Sequence, residues 1–372
     1  MKRNDYRSEF TKIADYLYEV TFYDYDYAFE PTRKFFEKRF KLGGCSSVQN
    51  GMIRGRNYDW TYDEEPAFVI HVPATENRYA SVGVARSAGM TPALIESGED
   101  FEILRLTPYG TLDGMNDQGL TINMNVVNYK EKGDFRMKTE DTSDDIFPAM
   151  IPRLVLDYAA NIEEALELID QMDVYSMADE NELHFMLTGK TSATNPTFKT
   201  IAIEFIPDEN QVYKMHVIDK FVEDKEIMTN FHLTDFDGSE ESLTEHPMGY
   251  ERYQVLFENY EMGNTVAGMR ELMKKVYYTR AYDLSDENFW YTEYSKGDLT
   301  MKNRGLKNLK GDVCNAGEYE DVIGDMVDKF LHRTRSDKAP SWQTVHLSVY
   351  DIEHLTLSVI PQEGDDHYDF KI

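Results

Sequence analysis

Short runs in which apolar side chains alternate with polar ones dominate the chain. FVIHV at 68–72, YASVGVA at 79–85, FEILRL at 101–106 and GLTINMNVV at 119–127 read as strands of the first third. LHFML at 183–187, TIAIEFI at 200–206, VYKMHVI at 212–218 and EIMTNF at 226–231 form a second block. TVHLSVY and LTLSVI close the chain as a strand pair joined through Asp351–His354. Between the blocks the period changes to three and four. Ile151, Leu154, Val155, Tyr158, Ile162, Ala165, Leu166 and Ile169 mark one face of a helix from Phe147 to Met172, about 26 residues long if it continues past Pro152. Further helices are expected at 248–260, 264–277 and 321–334, with a Gly-, Asn- and Lys-rich loop over 295–317. Strands grouped with strands and helices with helices predict an α+β fold of largely antiparallel sheets. No internal repeat and no apolar run of membrane-spanning length occurs.

Composition narrows the function. A length of 372 residues supports a sizeable core, and 13% aromatic residues are too many for a disordered acidic tail. The net charge of −29 leaves no excess of Lys and Arg to neutralise phosphates, which argues against nucleic acid and anionic membranes as partners. Cys45 and Cys314 cannot build a disulfide framework, and no Cys/His ligand spacing points to a metal. The pattern fits a reducing cytoplasm. MKRNDYRSEF at the start is not followed by an apolar stretch of signal-peptide length. Residues 1–44 nevertheless differ from the rest: nine basic residues balance eight acidic ones, and twelve Phe or Tyr fall there. YLYEVTFYDYDYAF within this arm predicts a strand-like, partly buried segment.

The most informative stretch is GGCSSVQNGMIRGRNYDW, residues 43–60. Asn50-Gly51 between two β-type runs predicts a hairpin with a type I′ turn. That register would set Gln49 opposite Met52 and Cys45 opposite Arg56, with Arg56 over the sulfur and favouring thiolate. Asp59 would reach back toward the same strand end. Gly43-Gly44 gives an unhindered peptide bond whose carbonyl the Cys45 sulfur can attack. An N-to-S acyl shift and hydrolysis would make Cys45 a new N-terminus, with an α-amine of reference pKa about 7.7–8.0 as base beside the nucleophile.

These residues resemble the amino end of mature choloylglycine hydrolases, the linear amide C–N hydrolases that include bile salt hydrolases, penicillin V acylases and acid-ceramidase-like enzymes. DGMNDQGLTINMN at 113–125 is similar to their Gly-Met-Asn-Glu-Lys-Gly-Leu strand, and IMTNF at 227–231 to their Thr-Asn block. TVHLSVYDIEHLTLSV at 344–359 resembles their closing strand pair. The resemblance implies the four-layer αββα sandwich of N-terminal nucleophile hydrolases, a propeptide at 1–44 and a hydrolase domain at 45–372. It implies Cys45 as nucleophile, Arg56 and Asp59 as its partners, Asn125 and Asn230 as structural and oxyanion residues, and Arg252 as a further site arginine. No cofactor or metal is expected. The substrate would be a small N-acyl amide, such as a bile-salt conjugate, penicillin V-like compound or N-acyl amino acid, and the resemblance extends to a homo-tetramer. Relatives often carry the cysteine directly after the initiator Met, whereas 44 residues precede it here.

Other features have plainer readings. DFDGSEES at 235–242 lacks the spacing of a calcium loop and reads as a solvated turn. His71, His184 and His216 lie in strand runs and read as core or pocket packing, and Cys314 as structural. Three functions stay open: an amidohydrolase whose attached arm keeps it a zymogen, with the aromatic strand filling the acyl pocket; an acyltransferase passing the same acyl group to an amine; and a binding protein with an inert Cys45.

Overall fold

The alternating runs become strands wherever one face can be buried. The computed structural model describes residues 10–23, 44–61, 66–86, 95, 107–127, 145–146, 148–174, 182–207, 213–239, 242–243, 249–283, 290–295, 341–361 and 366–372. The expected strand at 101–106, the helix at 321–334, the loop beyond Ser295 and Cys314 lie outside these residues. In chain order the strands are β1 (Phe10–Ala14), β2 (Leu17–Thr21), β3 (Cys45–Asn50), β4 (Ile53–Thr61), β5 (Ala67–Val72), β6 (Ser81–Arg86), β7 (Thr111–Asn116), β8 (Thr121–Val127), β9 (Asp145–Ile146) and β10 (Asp173–Val174). They continue as β11 (Glu182–Lys190), β12 (Phe198–Pro207), β13 (Tyr213–Ile218), β14 (Glu226–Met228), β15 (Tyr278–Asp283), β16 (Trp290–Ser295), β17 (Ser341–Asp351), β18 (Thr356–Pro361) and β19 (Tyr368–Lys371).

One sheet has the order β1-β2-β5-β6-β7-β8-β11-β12-β13. The other runs β14-β3-β4-β17-β15-β16, with β18 between β17 and β19. Among the described residues all strand pairings are antiparallel except β2 with β5 and the separate pair β9 with β10. Helices α1 (Ile151–Tyr158) and α2 (Ile162–Gln171) cover the first sheet through β7, β8 and β11. Helices α3 (Tyr250–Glu258) and α4 (Val266–Lys274) cover the second through β3, β14, β4 and β17. The two sheets meet face to face, where Ser47 bonds Asn125 and Arg56 bonds Asp113. The result is the expected α+β, αββα sandwich.

Strand periodicity decides what lies in each layer. On β8, Ile122, Met124 and Val126 join the core with Leu154, Val155, Ala165 and Ile169, while Asn123 and Asn125 face the second sheet. On the far side, Val48, Leu347 and Val349 pack with Met269, Leu272 and Met273. Gly55 makes this possible: a Cβ there would lie 2.7 Å from both Met269 and Met273.

The long helix expected over 147–172 is two helices. Pro152 is not the break, since it sits in the first turn of α1 where its missing N–H costs nothing. The break falls at Asn161, whose side chain accepts the Glu164 N–H at 3.0 Å while Glu164 accepts the Ala160 N–H at 2.8 Å. The arm strand is real but placed elsewhere than expected. β2 adds to the edge of the first sheet, and Tyr18, Val20 and Phe22 pack with Phe68 and Ile70, in a cluster separate from that of Cys45. The described part of the aromatic segment therefore packs apart from Cys45. His216 is exposed on edge strand β13, not packed in a core. Asp237 accepts from the Ser239 N–H at 2.8 Å, which makes the 235–239 loop an Asx-turn.

Candidate active site

The hairpin that carries Cys45 turns one residue later than its Asn-Gly suggests. Asn50 pairs with Ile53, leaving Gly51 and Met52 as the loop, and only Gly51 has positive φ, at 58°. Glycine at the first central position is the II′ arrangement in place of I′. The register therefore shifts by two: Cys45 faces Tyr58, and Arg56 faces Ser47. Because side chains alternate with period two, a shift of two keeps every residue on its face. Arg56 reaches the sulfur diagonally, with Nη2 3.5 Å from Cys45 Sγ.

Arg56 is held from three other directions. Nη1 donates to Asp113 Oδ2 at 2.8 Å, Nη2 donates to the Met124 carbonyl at 2.9 Å, and the Tyr58 ring lies 5.4 Å from the guanidinium carbon. Asp113 in turn accepts from Ser348 Oγ at 2.9 Å and from the Tyr350 hydroxyl. His346 Nε2 lies 3.6 Å from the same carboxylate. Burial opposes ionisation of Asp113, yet Arg56 and these donors hold it below the ordinary carboxylate value. The sequence reading missed Asp113, His346, Ser348 and Tyr350. Only the meeting of β7 with β17 across the sheets reveals them, since 235 residues separate Asp113 from Ser348.

A second cluster grips the backbone at the start of β3. Arg252, on α3, donates through Nη1 to the Cys45 carbonyl at 2.7 Å, to Ser46 Oγ at 2.8 Å and to Asp59 Oδ2 at 3.2 Å. Its Nη2 donates to Asn230 Oδ1 at 2.6 Å, the oxygen that also accepts the Cys45 N–H at 2.9 Å. The Asp59 N–H donates to the Gly44 carbonyl at 2.9 Å, and its carboxylate accepts from Thr344 Oγ1 at 2.7 Å. A Cβ on Gly44 would lie 3.1 Å from Arg252 Nη2 and 3.3 Å from Asp59 Oδ2. All six residues singled out in the sequence are fully or almost fully buried, and four of them, Arg56, Asp59, Asn230 and Arg252, converge directly on Cys45 and its neighbours.

Asn125 stands one step back. Its Nδ2 donates to the carbonyls of Met228 and Thr229, both at 3.1 Å, and its Oδ1 accepts from Ser47 Oγ at 3.1 Å. Those bonds fix the backbone leading into Asn230, and the backbone N–H of Val126, the residue after Asn125, joins Arg56 as a donor to the Cys45 sulfur. Asn230 Nδ2 donates to the Val126 carbonyl at 2.7 Å.

Burial pushes the Cys45 thiol up, and this outweighs the downward pull of Arg56, Arg252 and the Val126 N–H. Cys45 is 0% exposed. Among the described residues no group of three or more His, Cys, Asp or Glu could hold a metal ion, and no helix is long and apolar enough to cross a membrane.

An αββα sandwich with a cysteine opening one of its inner strands is the arrangement that the sequence resemblance implies. Residues 45–218 match the sequence model of the linear amide C-N hydrolases, choloylglycine hydrolase family, beginning at Cys45 and taking in Arg56, Asp59 and Asn125. Over this segment, a little under half of the chain, the sequence is similar to that family of hydrolases. Similar solved structures include a mutant and a variant of the conjugated bile acid hydrolase from Clostridium perfringens. Each is 13% identical, covering 89% and 88% of this chain and 92% of the other, with TM-scores of 0.41 and 0.40. The penicillin V acylase from Agrobacterium tumefaciens is similar at 14% identity, covering 89% of this chain and 86% of the other, with a TM-score of 0.38. No curated protein matches the sequence.

Proposed function

We propose that the chain is a self-processing cysteine amidohydrolase, in which residues 1–44 are a propeptide and Cys45 becomes the N-terminal nucleophile. The observation that carries this reading is the pair of contacts on the Gly44–Cys45 peptide: the Asp59 N–H on the Gly44 carbonyl oxygen and Asn230 Oδ1 on the Cys45 nitrogen. Attack of Sγ on the Gly44 carbonyl carbon puts negative charge on the oxygen that Asp59 N–H already meets, and the thiol proton goes to the departing Cys45 nitrogen. The C–N bond breaks, a thioester forms, and water releases the Gly44 carboxylate. The family match, which begins at Cys45, supports this boundary.

The freed amine is the base that the uncut chain lacks, and Asp59 Oδ2, beside Gly44, is placed to receive it. In turnover the Cys45 thiol gives its proton to that amine and attacks the acyl carbon of an N-acyl amide. The leaving amine takes the proton, and water hydrolyses the thioester to a carboxylic acid. Arg56 draws the sulfur toward thiolate, while Val126 N–H and the Asn230 amide serve the oxyanion; one such donor is worth about two to three orders of magnitude in rate. The substrate class we propose is a bile-salt conjugate, a penicillin V-like amide or an N-acyl amino acid, in keeping with the match to the linear amide C-N hydrolase family.

Intact mass tests the reading. Purified wild type is expected to lose residues 1–44 and Cys45→Ala to keep them. Wild type that stays at 43.3 kDa under conditions where it hydrolyses N-acyl amides would overturn the processing step. Processed protein inactive on the whole panel, with and without an added amine acceptor, would overturn the amidase.

A further inference from the structure

Loop 229–234 carries Asn230, yet it has no strand pairing of its own, since β14 ends at Met228. Its backbone is instead fastened by side chains from the first sheet. Glu204 on β12 accepts the Leu233 N–H at 2.7 Å, the Thr234 N–H at 3.0 Å and the Thr234 hydroxyl at 2.8 Å. His184, on β11, places Nδ1 3.1 Å from the same carboxylate and Nε2 3.0 Å from the Thr229 carbonyl. Thr229 also receives Asn125, which lies opposite His184 in the β8–β11 ladder.

Both ring nitrogens of His184 thus face groups that can only accept. The Thr229 carbonyl has no hydrogen to give, and Glu204, though burial opposes its charge, is held far below the ordinary carboxylate range by its donors. The ring is therefore clamped at both ends, at 0% exposure, between the Glu204 carboxylate and the loop backbone. His232 is the other titratable group on this carboxylate, with Nδ1 3.4 Å from Glu204 Oε2. A buried polar network of this kind is costly unless every bond is made, and here nearly all of its bonds end on one loop.

We propose that the His184–Glu204 pair is a positioning latch for Asn230, fixing the loop on either side of it so that Asn230 Oδ1 meets the Cys45 nitrogen. His184 and Glu204 touch neither the sulfur nor the scissile peptide, so they act only through the loop. The functional part of this inference rests on the role given to Asn230 above; the structural part does not.

The experiment uses the full chain. In the uncut Cys45→Ala protein, His184→Gln and Glu204→Gln are compared with the parent by hydrogen–deuterium exchange. Backbone amides of residues 229–234 are expected to exchange about tenfold faster or more, with those of β5 and β6 unchanged. Exchange of the loop within twofold of the parent overturns the latch, as does a uniform rise across all strands. In the Cys45 protein, His184→Gln is expected to slow self-cleavage by about tenfold or more, because a displaced Asn230 no longer meets the Cys45 nitrogen. Cleavage at the parental rate with a loosened loop overturns the functional part. If Asn230→Ala itself cleaves normally, the role of Asn230 falls, and the exchange result still decides the latch.

Discussion

Arg56 Nη1 lies 2.8 Å from Asp113 Oδ2, and neither side chain is exposed. This pair joins the two sheets directly behind the Cys45 sulfur. Removing one member of a buried, hydrogen-bonded ion pair leaves an uncompensated charge and costs about 3–5 kcal/mol. Asp113→Leu in the Cys45→Ala background is expected to lose that much stability in urea. Asp113→Asn should lose less, because its amide oxygen still accepts from Ser348 or Tyr350. Equal stability of all three proteins would mean that the pair contributes nothing.

Arg56 serves Asp113, the Met124 carbonyl and the sulfur at once, which a single ammonium on a flexible stem cannot do. A cation close to an ionisable group typically moves its pKa by about 1–3 units. Arg56→Leu should therefore raise the Cys45 thiol further and cut its thiolate fraction at neutral pH by about tenfold or more, with Arg56→Lys between the two. Ultraviolet thiolate absorbance against pH, in a Cys314→Ser background, measures this.

Gly44 leaves room for Arg252 and Asp59 and for nothing more. The Cβ of Gly44→Ala meets Arg252 Nη2 at 3.1 Å, and Arg252 is tied by four bonds that resist its retreat. Overpacking of this kind costs about 1–3 kcal/mol, so self-cleavage of Gly44→Ala should be about 5- to 160-fold slower, and that of Gly44→Val slower again. Time-resolved intact mass gives both rates.

The arm is expected to remain bound after cleavage. β2 is hydrogen-bonded along β5, Leu17, Tyr18, Val20 and Phe22 are buried, and Arg78 donates to the Tyr23 carbonyl at 2.8 Å. Each of those side chains contributes about 1.5–3 kcal/mol. Processed protein should elute with its arm peptide in native size exclusion and release it in denaturant. Tyr18→Asp, which puts a charge against Phe68, should weaken or abolish co-elution. A protease site inserted within residues 24–43 tests the same attachment without self-cleavage.

The acid limb of stability follows from Glu204. A carboxyl held below its ordinary value in the folded chain gives stability that is present above about pH 4.3 and lost as pH falls toward the folded value. Below that point wild type should lose up to about 1.4 kcal/mol per pH unit through this group, and Glu204→Gln should show a shallower slope. Asp113 acts with the same sign, so some acid dependence remains in the variant.

The legible parts of the site were those that local chemistry writes into adjacent residues. Gly-Gly-Cys, the β-hairpin and the Arg56/Asp59 spacing lie within eighteen residues, and even an incorrect turn type left Arg56 on the correct face because the error was two residues, a full strand period. Arg252 and Asn230 were placed by family resemblance alone. Nothing in YERYQVL indicates a side chain that reaches the carbonyl of Cys45 from 207 residues away. The long helix was misread because Asn161 and Glu164 form a cap that interrupts an unbroken apolar face.

What the sequence determined by itself is the alternation that assigns each strand residue to a helix-facing or sheet-facing layer, the turn that sends β4 back along β3, and the cysteine that opens it. Those follow from backbone geometry and side-chain type over a few residues. Only the tertiary structure decided that Asp113, Ser348 and Tyr350 would surround Arg56, that His184 and Glu204 would hold the Asn230 loop, and that burial would push the Cys45 thiol up. Hydrogen bonds and desolvation depend on which groups are brought within about 3 Å of one another, and that proximity exists only once the two sheets have closed.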